Sequence, residues 1–312
     1  MPTIQNYRIP HYWFWIQDFV YTFHMPLFMF LSGFLYAATN PIDSLSQWFV
    51  LIENKIKRLL IPFISMAIII FLFKFIGGFL INLQYPISIH SVWNIILDPF
   101  ESFAPILWFL YLLFEVFVIY SLVQYIIGND LIVLLFFILL LFLPRLDIFM
   151  LGTLLYYLPI FAIGFIFFRH NLLSKYRLAL GIIFLLSFIV LFVCKGYVSH
   201  PDIAKRIVRL SLGVLGSVSC FFISIQLLKK ENRLVKPFIS IGIYSMGIYL
   251  FHTIFIGVVQ AILINVIKLS DYWFVATAIV VVSAGVFFPI LIEKYLIRRY
   301  RILNKFIFGV TK

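Results

Sequence analysis

Charge is the scarcest resource in this chain. Only 12% of its 312 residues are charged, and just 12 are Asp or Glu. A water-soluble domain carries about 25–35% charged side chains on its surface, so the composition excludes a soluble globular fold. Cysteine is nearly absent as well. Cys194 and Cys220 fall in or at the end of apolar segments, where they read as packing residues rather than a disulfide, and no Cys/His cluster has metal-ligand spacing. A glycine-rich phosphate loop, a metal motif and a serine-hydrolase elbow are all missing. No basic start followed by a clean apolar core and a small-residue cleavage site opens the sequence, which argues against a signal peptide.

What is abundant is apolar. Hydrophobic residues make up 64% of the chain, and the mean hydropathy is +1.10. Long runs of Phe, Leu and Ile imply helices, because barrel strands alternate polar and apolar residues over about ten positions. The expected fold is therefore all-α: a polytopic helical bundle in the lipid bilayer. With about 20 residues per crossing, nine spans emerge, at 19–38, 59–81, 104–127, 131–143, 150–168, 178–194, 207–228, 239–267 and 272–292. The fourth is short for a full crossing.

A net charge of +12 is compatible with nucleic-acid binding, but the basic residues sit in short loops between spans. One alternate set of loops, with the C-terminal tail, holds 16 Lys and Arg residues, and the opposite set holds 7. The richer side should be cytoplasmic. That places the C-terminus inside and, with nine spans, the N-terminus outside. The chain divides into an aromatic interfacial lead-in at 1–18, a transmembrane domain at 19–295 and a basic cytoplasmic tail at 296–312.

Four groups of residues invite a chemical reading. His24 precedes Pro26, Ser32 and Gly33 in one span. A His at the outer mouth of a bundle suits a base acting on an arriving acceptor, or an interfacial ring bonded to water or a carbonyl. Lys55, Lys57 and Arg58 open a span and suit a phosphate-bearing cofactor, or a positive-inside anchor. Ser245, Tyr249 and His252 share a helical stripe, with Gly242 and Gly247 beside them for close packing. That stripe reads equally as interhelical hydrogen bonding. Lys74, Glu115 and Gln124 are scattered intramembrane polar residues with no decisive spacing.

Taken together, these segments resemble the membrane acyltransferase 3 family. The run from Phe23 to Leu35 (FHMPLFMFLSGFL) looks like its second-helix signature in fucose-4-O-acetylase-like members, which are polysaccharide O-acetyltransferases. Lys55 to Pro62 looks like the basic opening of its third helix, and Ile241 to His252 like its late Ser-to-His helix. Leu107 to Leu110 and Tyr157 to Gly164 match weaker landmarks. The resemblance implies transfer of an acyl group, expected to be acetyl, from cytoplasmic acyl-CoA to a hydroxyl of a cell-surface or lipid-linked glycan at the plasma membrane. Implied catalytic residues are His24, His252 and Ser245; implied acyl-CoA contacts are Lys55, Lys57 and Arg58. No metal or nucleic acid is implied. Family members usually begin with a further helix bearing a basic residue and a His. Arg8 is followed by no such His, so the expectation is a chain lacking that first helix, and an inactive family member is one alternative. A glycan or lipid flippase would also explain basic loops and midspan polar groups, but would call for internal repeats, and none is evident.

Overall fold

The structure, a computed structural model, describes residues 11–39, 41–79, 87–144, 149–171, 177–197, 202–229, 235–267 and 274–309. Its helices are α1 His11–Ala38, α2 Leu45–Lys55, α3 Ile61–Gly77, α4 Ile89–Leu97, α5 Trp108–Ile127, α6 Asp130–Leu140, α7 Leu151–Arg169, α8 Arg177–Cys194, α9 Asp202–Lys229, α10 Val235–Ile243, α11 Ser245–Ile267, α12 Phe274–Ile292 and α13 Arg301–Phe308. No strand occurs among the described residues. Residues 1–10 of the expected lead-in, Arg8 included, lie outside the described residues, and positions 11–18 already belong to α1.

Every expected span contains a helix. Among the described residues, seven helical stretches are long and apolar enough to cross a membrane, and two shorter apolar helices, Asp130–Leu140 and Leu178–Cys194, fill the fourth and sixth positions. The chain is a multi-pass membrane protein. Besides the earlier start of α1, two further spans differ from expectation. The second span does not begin at residue 59: helix runs from Leu45 to Gly77, with a π-helical turn at Ile56–Leu60 inside it. The eighth is broken at Tyr244, which separates α10 from α11. Apolarity extends outward too, as Phe79, Phe238 and Trp93 are 77%, 75% and 67% exposed. Hydrocarbon, not water, suits such a surface.

The described residues form two compact units. One comprises His11–Ile52 and Glu115–Val235; the other holds Glu53–Phe114 and Lys236–Lys312. In the first unit, α1 lies against α7 and α9. A Cβ added to Gly33 would collide with the Phe161 carbonyl oxygen, and one on Gly164 would collide with that of Phe30. The two helices thus cross with backbone on backbone at a reciprocal pair of glycines. This is how membrane helices gain dispersion contacts when water is absent. On the α9 side, Gly213 accommodates Pro26 and Gly216 accommodates Phe23. Phe19, Phe23, Phe188, Phe192 and Leu212 form a small apolar cluster nearby.

The opposite end of this unit is fastened electrostatically. The Asp130 side chain is 6% exposed and accepts hydrogen bonds from Arg169 at 3.1 Å and from His170 at 3.0 Å. Gln124, one of the scattered polar residues, donates to the same carboxylate at 3.4 Å, and the Asn129 side chain caps α6. Arg169 and His170 are about half exposed, so screening trims the pair's value. Asp130→Ala should cost about 2 kcal/mol, seen as a lower unfolding temperature of the detergent-solubilised protein.

The second unit packs Phe63, Met66 and Ile70 of α3 against Leu107, Leu110, Leu250, Phe251, Ile297 and Ile307. The C-terminal helix α13 closes it. The Ser65 hydroxyl donates to the Phe306 carbonyl, and Gly309, at φ +66°, lies against the Lys57 carbonyl. Both the positive φ and the close approach require glycine there.

Candidate functional site

In the first unit the site grows from α1. Four members of the Phe23–Leu35 stretch are consumed by helix packing: Phe23 and Pro26 on α9, Phe30 and Gly33 on α7. Ser32 donates to its own helix, at the Phe28 carbonyl. His24 is the polar residue left over. It is partly buried, with Nδ1 3.2 Å from the Val20 carbonyl oxygen. A carbonyl only accepts, so Nδ1 carries the hydrogen and Nε2 keeps its lone pair. The Tyr21 ring meets the imidazole edge-on, centroids 4.8 Å apart.

Tyr21 also faces a cavity of about 570 Å³ bounded by α1, α7, the end of α8 and the start of α9. Its walls include Thr22, Tyr156, Tyr157, Lys195, Lys205 and Arg209. The Tyr156 hydroxyl donates to the Arg209 carbonyl at 3.2 Å, and the Arg209 guanidinium lies 4.6 Å from the centre of that tyrosine's ring. Lys195 is 2.5 Å from Asp18 and 4.0 Å from the centre of the Phe192 ring. Arg206, just behind this wall, donates to the carbonyls of Leu141 and Leu143 and so closes the C-terminal end of α6. The Tyr21 ring thus touches His24 on α1 and also lines this tyrosine-rich cavity.

The second unit holds the remaining candidates. Nδ1 of His252 lies 2.8 Å from the Ile248 carbonyl and 2.9 Å from that of Tyr249. This gives His252 the same Nδ1–H tautomer as His24. Tyr249 donates its hydroxyl to the Ile106 carbonyl, which ties α11 to the turn before α5. Ser245 is exposed at the first position of α11. Seven residues at 1.5 Å each put it about 10 Å along the axis from His252, so the two do not act as a hydrogen-bonded couple. Gly242 was expected to permit close packing, yet a Cβ there meets nothing within 4 Å. Gly247 does pack closely, and against an unexpected neighbour: the carboxylate of Glu293.

Glu293 opens a second π-helical turn, Glu293–Ile297, and is 2% exposed. Its Oε1 accepts from Arg298 Nε at 2.9 Å, while Arg298 Nη2 also donates to the Ile243 carbonyl at 3.1 Å. The same guanidinium lies 4.7 Å from the centre of the Tyr244 ring. An ion pair with its carboxylate buried and its guanidinium partly exposed thereby holds the α10–α11 break next to Ser245. Sequence reasoning missed it. The available signal was a lone acid, Glu293, at the edge of an otherwise basic terminal segment.

The basic cluster sits on the Ile56–Leu60 π turn. Such turns recur at functional sites because the extra residue re-aims side chains. Lys57 pairs with Glu53 one turn earlier, both more than half exposed. Lys55 is partly buried and Arg58 exposed. Lys55, Lys57, Arg58, Ser245 and His252 thus belong to one unit and His24 to the other. Among the described residues no group of three or more His, Cys, Asp and Glu could hold a metal ion.

The family model described as an acyltransferase domain matches residues 2–292. No curated protein and no solved structure matches the chain.

Proposed function

Because this chain belongs to the membrane acyltransferase 3 family, we propose that it moves an acetyl group from cytoplasmic acyl-CoA to a hydroxyl of a glycan presented outside the plasma membrane. The observation that carries this reading is His24. Its Nδ1 is bound by the Val20 carbonyl, and the Tyr21 ring that it touches lines a cavity of sugar-accommodating size. In the proposed step, Nε2 of His24 takes the acceptor hydroxyl's proton as its oxygen attacks the thioester carbonyl. The carbon–sulfur bond breaks, and CoA leaves as a thiolate that is then protonated. A positioned base of this kind contributes about 10²–10⁴-fold. His252, in the other unit, has the matching tautomer and stands with Ser245 as a further catalytic candidate that the family resemblance implies. The acceptor class is taken from the fucose-4-O-acetylase-like members, whose second-helix signature the Phe23–Leu35 run resembles.

The positive-inside count supports a cytoplasmic C-terminus. The same orientation assigns Lys55 and Arg58 to the phosphates of acyl-CoA, while Lys57 is engaged by Glu53. Two charge-assisted contacts are at stake. The Lys55→Ala, Arg58→Ala double variant should therefore bind acyl-CoA at least about tenfold more weakly, measured by equilibrium dialysis of labelled acetyl-CoA against the protein in nanodiscs. Unchanged affinity would reduce the cluster to a topological anchor.

A further inference from the structure

Charge distribution in the cavity beside His24 goes further than acceptor binding in general. We propose that this cavity is built for a saccharide carrying an anionic group, a carboxylate on the sugar or a phosphate joined to it. The inference rests on the glycan-acceptor reading above and names a chemical class within it.

Three cations line the cavity, Lys195, Lys205 and Arg209, against one carboxylate, Asp18. That carboxylate is already engaged by Lys195 at 2.5 Å. Lys205 and Arg209 follow each other by one turn at the start of α9 and so share a face. Lys205 approaches Asp202 only at 4.0 Å, with side chains 60% and 90% exposed, a contact of little value in water. The Arg209 guanidinium lies over the Tyr156 ring, and stacking of this kind fixes the plane of the fork while its N–H groups stay at the edge, where a planar anion binds. The wall thus carries net positive charge where a neutral sugar would need none.

Its remaining surface suits a ring. Tyr21, Tyr156 and Tyr157 supply flat aromatic faces and hydroxyls, with Thr22 between. A volume of about 570 Å³ falls within the usual small-molecule range of about 300–1,000 Å³, enough for one or two sugar units. The cationic residues also oppose the bulk charge rule, since they lie on the side that otherwise carries few Lys and Arg. A topological signal does not require them there, but an anionic ligand does.

Binding can be measured without catalysis. The full chain in neutral-lipid nanodiscs is dialysed against three labelled probes: a glucuronate-containing disaccharide, its neutral glucose counterpart, and inorganic phosphate. The glucuronate disaccharide should bind about tenfold or more tighter than the neutral one, with affinity falling as salt rises. Arg209→Gln and, separately, the solvent-exposed Lys205→Gln should erase that preference. Displacement by millimolar phosphate would assign the anion to a phosphate-bearing saccharide; no displacement assigns it to the sugar carboxylate. Equal affinity for acidic and neutral disaccharides, or wild-type preference in both variants, overturns the proposal. The two readings separate cleanly. Acidic-sugar binding without acetylation keeps the subsite and removes the enzyme reading. Acetylation of neutral glycans untouched by either variant keeps the enzyme and removes the subsite.

Discussion

His24→Ala lowers acyl transfer by about 10²–10⁴-fold while the protein remains in the membrane at wild-type level. The rate effect is the usual worth of a positioned general base. The retained level follows from what surrounds the residue: among the described residues the ring hydrogen-bonds to its own helix, at Val20, and touches Tyr21. The helix–helix contacts around it belong to Phe23, Pro26, Phe30 and Gly33. His24→Asn sharpens the comparison. Its amide can still donate to the helix but offers no basic nitrogen, so it should be as inactive as the alanine variant. An Asn variant with near-wild-type turnover would show that the ring has a structural role. Transfer is read as labelled acetyl incorporated into a saccharide acceptor.

Gly33→Ala produces the opposite profile, loss of folded protein rather than loss of chemistry alone. One methyl placed on the Phe161 carbonyl cannot be relieved by a rotamer change, because the obstacle is backbone. The helices must separate, and the reciprocal contact of Gly164 with Phe30 separates with them. Overpacking costs about 1–3 kcal/mol when side chains can shift, and this site sits at or above the upper end. The expected result is a sharply lowered unfolding temperature in detergent and reduced yield from membranes. Gly242→Ala is the control, since a Cβ there meets nothing within 4 Å, and it should behave as wild type. Equal behaviour of the two variants would refute the crossing.

Spans and helices were legible in the sequence because bilayer thickness constrains length and apolarity together. The short fourth span was legible for the same reason, since Asp130 and Pro144 bracket it. Less visible was anything decided by partners distant in the chain. Gly33 and Gly242 look alike in sequence, yet one is a backbone crossing and the other faces open space. His24 stood out as an isolated polar residue, but its cavity draws Lys195, Lys205 and Arg209 from loops and helix starts about 170 to 185 positions away. Glu293 drew no reading from the sequence, because its partners, Gly247 and Arg298, meet it only after α11 and α12 pack. The two π turns, at Ile56–Leu60 and Glu293–Ile297, leave no periodicity signal in such uniformly apolar stretches.

The most direct test reconstitutes the full chain in sealed liposomes, with labelled acetyl-CoA on the side of the C-terminal tail and an oligosaccharide acceptor on the other. The account predicts acetyl label on the saccharide across the bilayer with wild type, and none above background with His24→Asn. Labelled acceptor in equal amounts from both proteins, or none from wild type with an acidic and a neutral acceptor alike, would contradict it.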